Sequence, residues 1–284
     1  MYLLLALCSG ALWGTWQFGT GRYGRQMSVY SVILVSGGAA TVVYLVMGRA
    51  TRDLIFDEVD VVSGLLGGLF AVVGTTLILK ALAIGKMGVT TGVSQAYVLI
   101  PLAYSVLIGE QVKAIAFVGV IVVLAGLIMF ILLHQKPEDT ESSGEGRDGQ
   151  LVAIGLAAVS AVFWGISIVV LDVGSAQNIY GTLALSQVPQ VVVGLTVALF
   201  ARSFGGLTKR EVAPLAGAGV ALALGYVAFY TAADEGDIGI VSVLAALSPV
   251  VTALLALVFL KERMVRSEVL ALVVILIGTA LVVA

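Results

Sequence analysis

Ten stretches of this chain are each long and apolar enough to cross a lipid bilayer, and together they occupy most of its 284 residues. They run 2–20, 28–48, 61–83, 89–109, 114–134, 150–172, 180–201, 213–234, 240–260 and 267–284. A helix crosses the hydrocarbon layer with about 20 mostly apolar residues, whereas barrel strands run about 9–11 and alternate. Lipid cannot satisfy exposed peptide groups, so segments of this length must be helices. Composition agrees: 60% of residues are apolar and 11% charged, with a mean hydropathy of +1.11, where soluble domains carry about 25% charged residues. The expected fold class is therefore an all-α integral membrane protein with ten transmembrane helices, and its first partner is the lipid bilayer. Met1-Tyr2 leads into Leu3-Leu4-Leu5 with no basic region, so residues 2–20 read as a permanent span rather than a cleaved leader.

Several function classes drop out. A net charge of -2 argues against nucleic acid, which calls for a basic face. With one cysteine, Cys8, and one histidine, His134, no disulfide, metal set or Ser-His pair can be assembled. No catalytic residue, metal or cofactor is expected. No P-loop is present, so transport by this chain would be secondary or facilitated.

The most polar segment, 135–149, reads as a linker between two copies of one unit, 1–134 and 150–284. Trp13-Gly14 recurs as Trp164-Gly165 at an offset of 151, and SGALWG (9–14) resembles SAVFWG (160–165). Gly85 and Gly88 match Gly236 and Gly239 at that offset, while Glu110 and Gly126 match Glu262 and Gly278 at 152. One inserted residue between 240 and 262 accounts for the step. Five spans per unit is an odd number, so the second unit enters the membrane upside down. Inverted repeats of this kind build secondary transporters with a substrate site at their interface.

At these residues the chain resembles the EamA-type branch of the drug/metabolite transporter superfamily. The Trp-Gly of each repeat, the stretch LSPVVTALLALVFLKER (247–263) and the terminal LVVILIGTALVV (272–283) carry the resemblance, which covers nearly the full chain. Pro249 lies thirteen residues before Glu262, and Glu110 holds the matching place in the first repeat. The first repeat departs by having Tyr97 where the proline would sit, with Pro101 four residues later. The resemblance implies a carrier of metabolites such as amino acids, sugars, nucleotide sugars or phosphorylated sugars. It also implies that Glu110 and Glu262 gate or anchor helices, whereas as bare sequence they read as solvated helix ends.

Candidate site residues follow from helix faces. Trp13 and Gln17, four apart, share a face, as do Tyr97, Pro101 and Tyr104, with Gln95 nearby. Tyr226 and Tyr230 pair on the eighth span, Gln187 and Gln190 flank Pro189 on the seventh, and Trp164 repeats Trp13. Buried amides in lipid need partners, so these groups point inward. Lys80, with Thr76 one turn earlier, either snorkels to the headgroups or faces the cavity as an anion site. Asp172, Asp234 and Glu235 read as solvated span ends. Residues 2–20 contain no acid, so a cationic drug would find no counter-charge there. Pro101, Pro189 and Pro249 are candidate hinges. The pairs Gly10/Gly14 and Gly64/Gly68, with Ala161/Gly165, mark close backbone approach.

Orientation is expected from loop charge. With the N-terminus cytoplasmic, 3 basic residues would lie inside and 12 outside, the reverse of the usual bias. Charge thus favours termini outside, while the family resemblance implies termini inside. The leading expectation is a transporter of a small polar metabolite in the plasma (inner) membrane, with amino acids first. A sugar or sugar-phosphate exchanger using Lys80, and a non-transporting scaffold or receptor, are the alternatives.

Overall fold

A computed structural model describes residues 1–24, 27–85, 90, 93–109, 114–133, 144–202, 206–260, 270–271, 273–275, 277–278 and 281. Glu110 and Glu262, the two expected gate residues, lie outside the described residues. Among the described residues all regular structure is helical. The elements are α1 (Tyr2–Gly24), α2 (Val29–Thr51), α3 (Glu58–Ile84), a 3₁₀ turn (Gln95–Val98) leading into α4 (Leu99–Leu107), and α5 (Ala114–Leu133). After them come α6 (Gly144–Ser175), α7 (Ile179–Phe200), α8 (Lys209–Glu235), α9 (Ile238–Ala245) and α10 (Ser248–Leu255), which runs into a π turn (Ala256–Leu260). Among the described residues, six helices are long and apolar enough to cross a membrane: Val29–Thr51, Glu58–Ile84, Gly149–Ser175, Ile179–Phe200, Lys209–Glu235 and Ile238–Phe259.

Two expectations are revised. The fourth and ninth spans are not continuous α-helices: one is interrupted by a 3₁₀ turn at Gln95–Val98, and the other breaks at Ala246-Leu247, where Leu247 N donates to Leu244 O at 3.3 Å. Pro101 and Pro249 fall in the first turn after these breaks, where a missing N–H removes little; Pro189 alone of the three sits inside a long helix, α7. α6 begins at Gly144, inside the polar stretch 135–149; polar residues do not stop a helix from running past its apolar span.

The two sides of each helix are sorted by size and polarity rather than by apolarity alone. Outward positions carry Val42, Val46, Leu66, Leu69 and Leu199, all exposed, while inward ones carry Ser9, Ser36, Ser63, Ser160 and Ser167 and many glycines. Lipid tails solvate leucine as well as a protein interior does, so small residues that let backbones meet decide which faces pack. Ser160 Oγ donates to Gly74 O and Ser167 Oγ to Gly67 O, both at 2.8 Å, fastening α6 along α3. α1 lies along α8, and α2 packs against α7 and α8.

Close approaches recur at a constant sequence offset. A methyl group on Gly225 would sit 2.6 Å from Cδ1 of Trp13, and one on Gly74 would sit 2.6 Å from Cδ1 of Trp164. Gly14 faces Ser248 O and Val251, while Gly165 faces Tyr97 O and Ile100. Gly236 meets Tyr2 and Gly85 meets Ala153. Every residue in the second member of these pairings is 151 removed from its counterpart in the first. Gly126 against Ile275 and Gly278 against Val123 are reciprocal at 152. The added residue therefore falls between 251 and 275. The π turn Ala256–Leu260 lies in that interval, and a single π turn is how a helix takes up one extra residue. This pairs Tyr97 with Ser248 and Val98 with Pro249, a one-residue correction to the alignment that set Tyr97 against Pro249.

One end of the bundle is tied by polar groups. Asp57 caps α3 through a capping box with Asp60: Asp60 N donates to Asp57 Oδ1 at 2.9 Å and Asp57 N to Asp60 Oδ2 at 3.4 Å. Asp60 is fully buried, and its Oδ1 accepts from Thr182 Oγ1 on α7 at 3.2 Å. Asn178 caps α7 by accepting from Gly181 N, while its Nδ2 donates to Asp53 O at 2.6 Å and to Asp53 Oδ1 at 3.0 Å. Asn178→Ala removes a cap and a cross-tie together. It is expected to lower stability by about 1–2 kcal/mol, read as the shift in thermal unfolding of the purified protein; a shift no larger than that of an exposed substitution would show that the tie is idle.

Candidate functional site

The helices surround a partly open cavity lined by Trp13, Trp16, Gln17, Thr75, Tyr97, Trp164, Ile168, Gln190, Leu222, Tyr226 and Ser248. Five of the eleven are aromatic, and none is an Asp, Glu, Lys, Arg or His. α1 supplies Trp13, Trp16 and Gln17 from one face at spacings of three and four. A second cavity shares Trp16, Gln17 and Trp164 and extends to Thr20, Leu82 and Ser94.

The wall is built by ring packing and by hydrogen bonds between its own members. Trp13 stacks on Phe229 with centroids 5.2 Å apart and meets Tyr226 edge-on at 4.9 Å and Tyr97 at 6.4 Å. Such edge and offset contacts suit the ring quadrupoles. Trp16 and Trp164 lie 6.1 Å apart across the space. Gln17 Nε2 donates to Ser248 Oγ at 3.3 Å, joining α1 to α10. Trp164 Nε1 donates to Thr75 Oγ1 at 3.3 Å. Gln190 Nε2 donates to Gln187 Oε1 at 3.0 Å. Trp13 Nε1, Trp16 Nε1 and Tyr97 Oη are buried without a hydrogen-bond partner, and Gly225 lies against the Nε1 edge of Trp13.

Six of the residues singled out by sequence line this cavity: Trp13, Gln17, Tyr97, Trp164, Gln190 and Tyr226. Tyr230 does not; it lies behind the wall, stacked 6.1 Å from Tyr226, with its hydroxyl donating to Ile168 O at 3.1 Å. Gln187 also stands one layer back, where it orients Gln190. Gln95 is buried on the 3₁₀ turn and Tyr104 half-buried on α4, neither in the wall. Thr76 is displaced by its neighbour Thr75, because one residue is 100° of helix rotation and 75 faces inward with Ala71, Val72 and Ile78. Lys80 is exposed on the outside of α3 and lines neither cavity. This placement lends no support to the anion-site expectation.

Sequence reasoning missed Trp16, Thr75, Ile168, Leu222 and Ser248. Three of these were within reach. Adding or subtracting 151 turns Gln17 into Ile168, Tyr97 into Ser248 and Tyr226 into Thr75, and with Trp13 and Trp164 these make four equivalent pairs in one wall. Gln190 was marked as the partner of Gln187 but not placed in the cavity. Trp16 and Leu222 left no signal beyond their helix faces.

The comparisons with known proteins agree with this architecture. The model of the EamA-like transporter family matches residues 1–132 and again 151–284. An "Uncharacterized transporter" of Clostridium kluyveri is 28% identical over 186 residues, which is 63% of this chain; the match spans 57% of that relative's length. A solved crystal structure of another protein, 17% identical, superposes with a TM-score of 0.80 over 99% of this chain and 95% of the other, a likeness of fold alone. With the family model on both halves and several membrane-crossing helices in the structure, the chain belongs to the EamA-like transporter family and is an integral, multi-pass membrane protein.

Proposed function

We propose that this protein is a secondary or facilitative transporter of a small polar metabolite without net charge. Two inverted five-helix halves, 1–134 and 150–284, would expose the central cavity alternately to the two sides of the membrane. The carrying observation is the cavity wall, where residues 13 and 164, 17 and 168, 75 and 226, and 97 and 248 stand as pairs related by the repeat offset. Repeat-related positions around one space are what a site on a pseudo-twofold axis requires. The reciprocal glycine contacts support the same axis. Lys80 on the outer surface removes the motive for a phosphate site. Amino acids, the first expectation, keep the aromatic and amide groups and lose the lysine.

Flux into vesicles tests the reading. Purified protein reconstituted in lipid is expected to move labelled metabolite down its gradient faster than empty vesicles, with saturation and with counter-flow from preloaded vesicles. A receptor or scaffold would bind without moving its ligand. Binding with no flux for any ligand in either direction would remove the transport reading.

A further inference from the structure

We infer that the central cavity selects an uncharged, flat ring compound whose polar edge consists mainly of hydrogen-bond acceptors, such as ring carbonyls or ring nitrogens. The inference rests on the transport reading above and narrows its substrate class.

Three features of the wall lead there. The first is charge. Among the described residues no carboxylate, ammonium, guanidinium or imidazole lines the cavity. A charged group deep in a membrane protein is costly unless paired, about 2.5–3.5 kcal/mol at the centre of a span on insertion scales. A cation, an anion or a zwitterion entering this space finds no counter-charge in its wall.

The second is shape. Trp16 and Trp164 meet tilted at 53° with centroids 6.1 Å apart, and Trp13, Tyr97 and Tyr226 close the adjoining wall with edge contacts. A wall of five aromatic residues gives a flat ring both stacked and edge-to-face partners, which favour centroids about 4.5–7 Å apart. A sugar ring would meet such a wall only through its C–H groups.

The third is the balance of donors and acceptors. Three acceptors at or just behind the wall are already used: Ser248 Oγ accepts from Gln17, Thr75 Oγ1 from Trp164, and Gln187 Oε1 from Gln190. Two wall groups that can donate have no partner: Trp16 Nε1 and Tyr97 Oη, on residues 5% and 3% exposed. An indole N–H can only donate, whereas a phenol can also accept. Buried donors are costly while unmet, so a molecule bringing acceptors to these two groups gains by entering. The ammonium of an amino acid brings three donors, none of which the Trp16 N–H can accept.

The test uses the full chain, purified and also reconstituted in lipid vesicles. Nicotinamide, uracil and hypoxanthine serve as neutral acceptor-bearing rings. Nicotinate, tryptophan and glucose 6-phosphate serve as anionic, zwitterionic and phosphorylated counterparts, and glucose as the neutral non-aromatic one. Binding is read by tryptophan fluorescence and transport by uptake of labelled compound. At least one neutral ring is expected to bind and cross, with a Kd about 10-fold or more below that of any counterpart. Tyr97→Phe and Trp16→Phe are each expected to weaken that binding about 10-fold, the size of one lost buried hydrogen bond. Tyr97→Phe deletes a single unpartnered oxygen, so its melting temperature is expected to be no lower than the parent's, which separates lost recognition from lost folding. Should Trp16→Phe fail to fold, Tyr97→Phe decides alone. Stronger binding and uptake of nicotinate, tryptophan, glucose 6-phosphate or glucose would overturn the substrate class and leave the transport reading standing. So would full affinity in Tyr97→Phe. No binding and no uptake of any of the seven would count against both.

Discussion

Gly68→Ala is expected to cost at least about 3 kcal/mol of stability, and Gly219→Ala a similar amount. A methyl group on Gly68 would meet Ser186 O at 2.1 Å, with Ser186 C and Cα within 2.8 Å; one on Gly219 would meet Ser36 O at 2.2 Å. These obstacles are backbone atoms of α7 and α2, and a carbonyl held in a helix cannot turn aside as the tip of a side chain can. The only relief is to move two helices apart along contacts that fix the bundle. Gly217 and Gly38 supply the controls, since a methyl group on either would meet nothing within 4 Å. There Gly→Ala is expected to be neutral or to stabilise by about 0.5–1 kcal/mol through helix propensity. Thermal unfolding of the four variants, followed by size-exclusion and helical content, reads the contrast. Equal melting for Gly68→Ala and Gly217→Ala would mean that α3 and α7 are not packed backbone to backbone.

Trp13→Ala should be the most damaging change in the cavity wall, for folding and transport together. Trp13 is 7% exposed and holds Phe229, Tyr226 and Tyr97 in place, besides filling the notch over Gly225. Truncating a buried Trp leaves a void that rigid neighbours cannot close, at a cost of about 3–5 kcal/mol. Its counterpart Trp164 is only half-buried, so Trp164→Ala should cost less in stability. Uptake is expected to fall at least about 100-fold in Trp13→Ala, since the ring that orders three others is gone. Trp13→Phe keeps a ring over Gly225 and should restore much of the stability. Full uptake by a well-folded Trp13→Ala protein would remove this cavity from the transport path.

Much of this was readable before any coordinates, and the limits have physical causes. The all-helical, strongly apolar class, the repeated Trp-Gly and the close-packing glycines were legible because apolarity and missing side chains leave direct marks on the sequence. The breaks at Gln95–Val98 and Ala246-Leu247 were not, since apolar residues continue through both. Among wall residues, the near miss at Thr76 shows how far apolarity alone can guide: every face of α3 is apolar, so no periodicity tells 75 from 76. Lys80 misled for a related reason, because depth along a span says nothing about which way a side chain points. The offset of 151 was the strongest signal in the chain. It had been used to find the repeat but not to carry Gln17, Tyr97 and Tyr226 across to Ile168, Ser248 and Thr75.

Those pairings carry one more consequence. Of the four equivalent positions, one keeps its residue, Trp with Trp, while the others set Gln against Ile, Tyr against Ser and Tyr against Thr. In the inverted arrangement proposed above, the frame would be nearly the same when turned end for end, but the lining would not. A bound molecule would then have a head and a tail: flipped by half a turn, it would present to Ile168 the edge that Gln17 had held. The three unlike pairs would leave one of two otherwise equivalent orientations favoured.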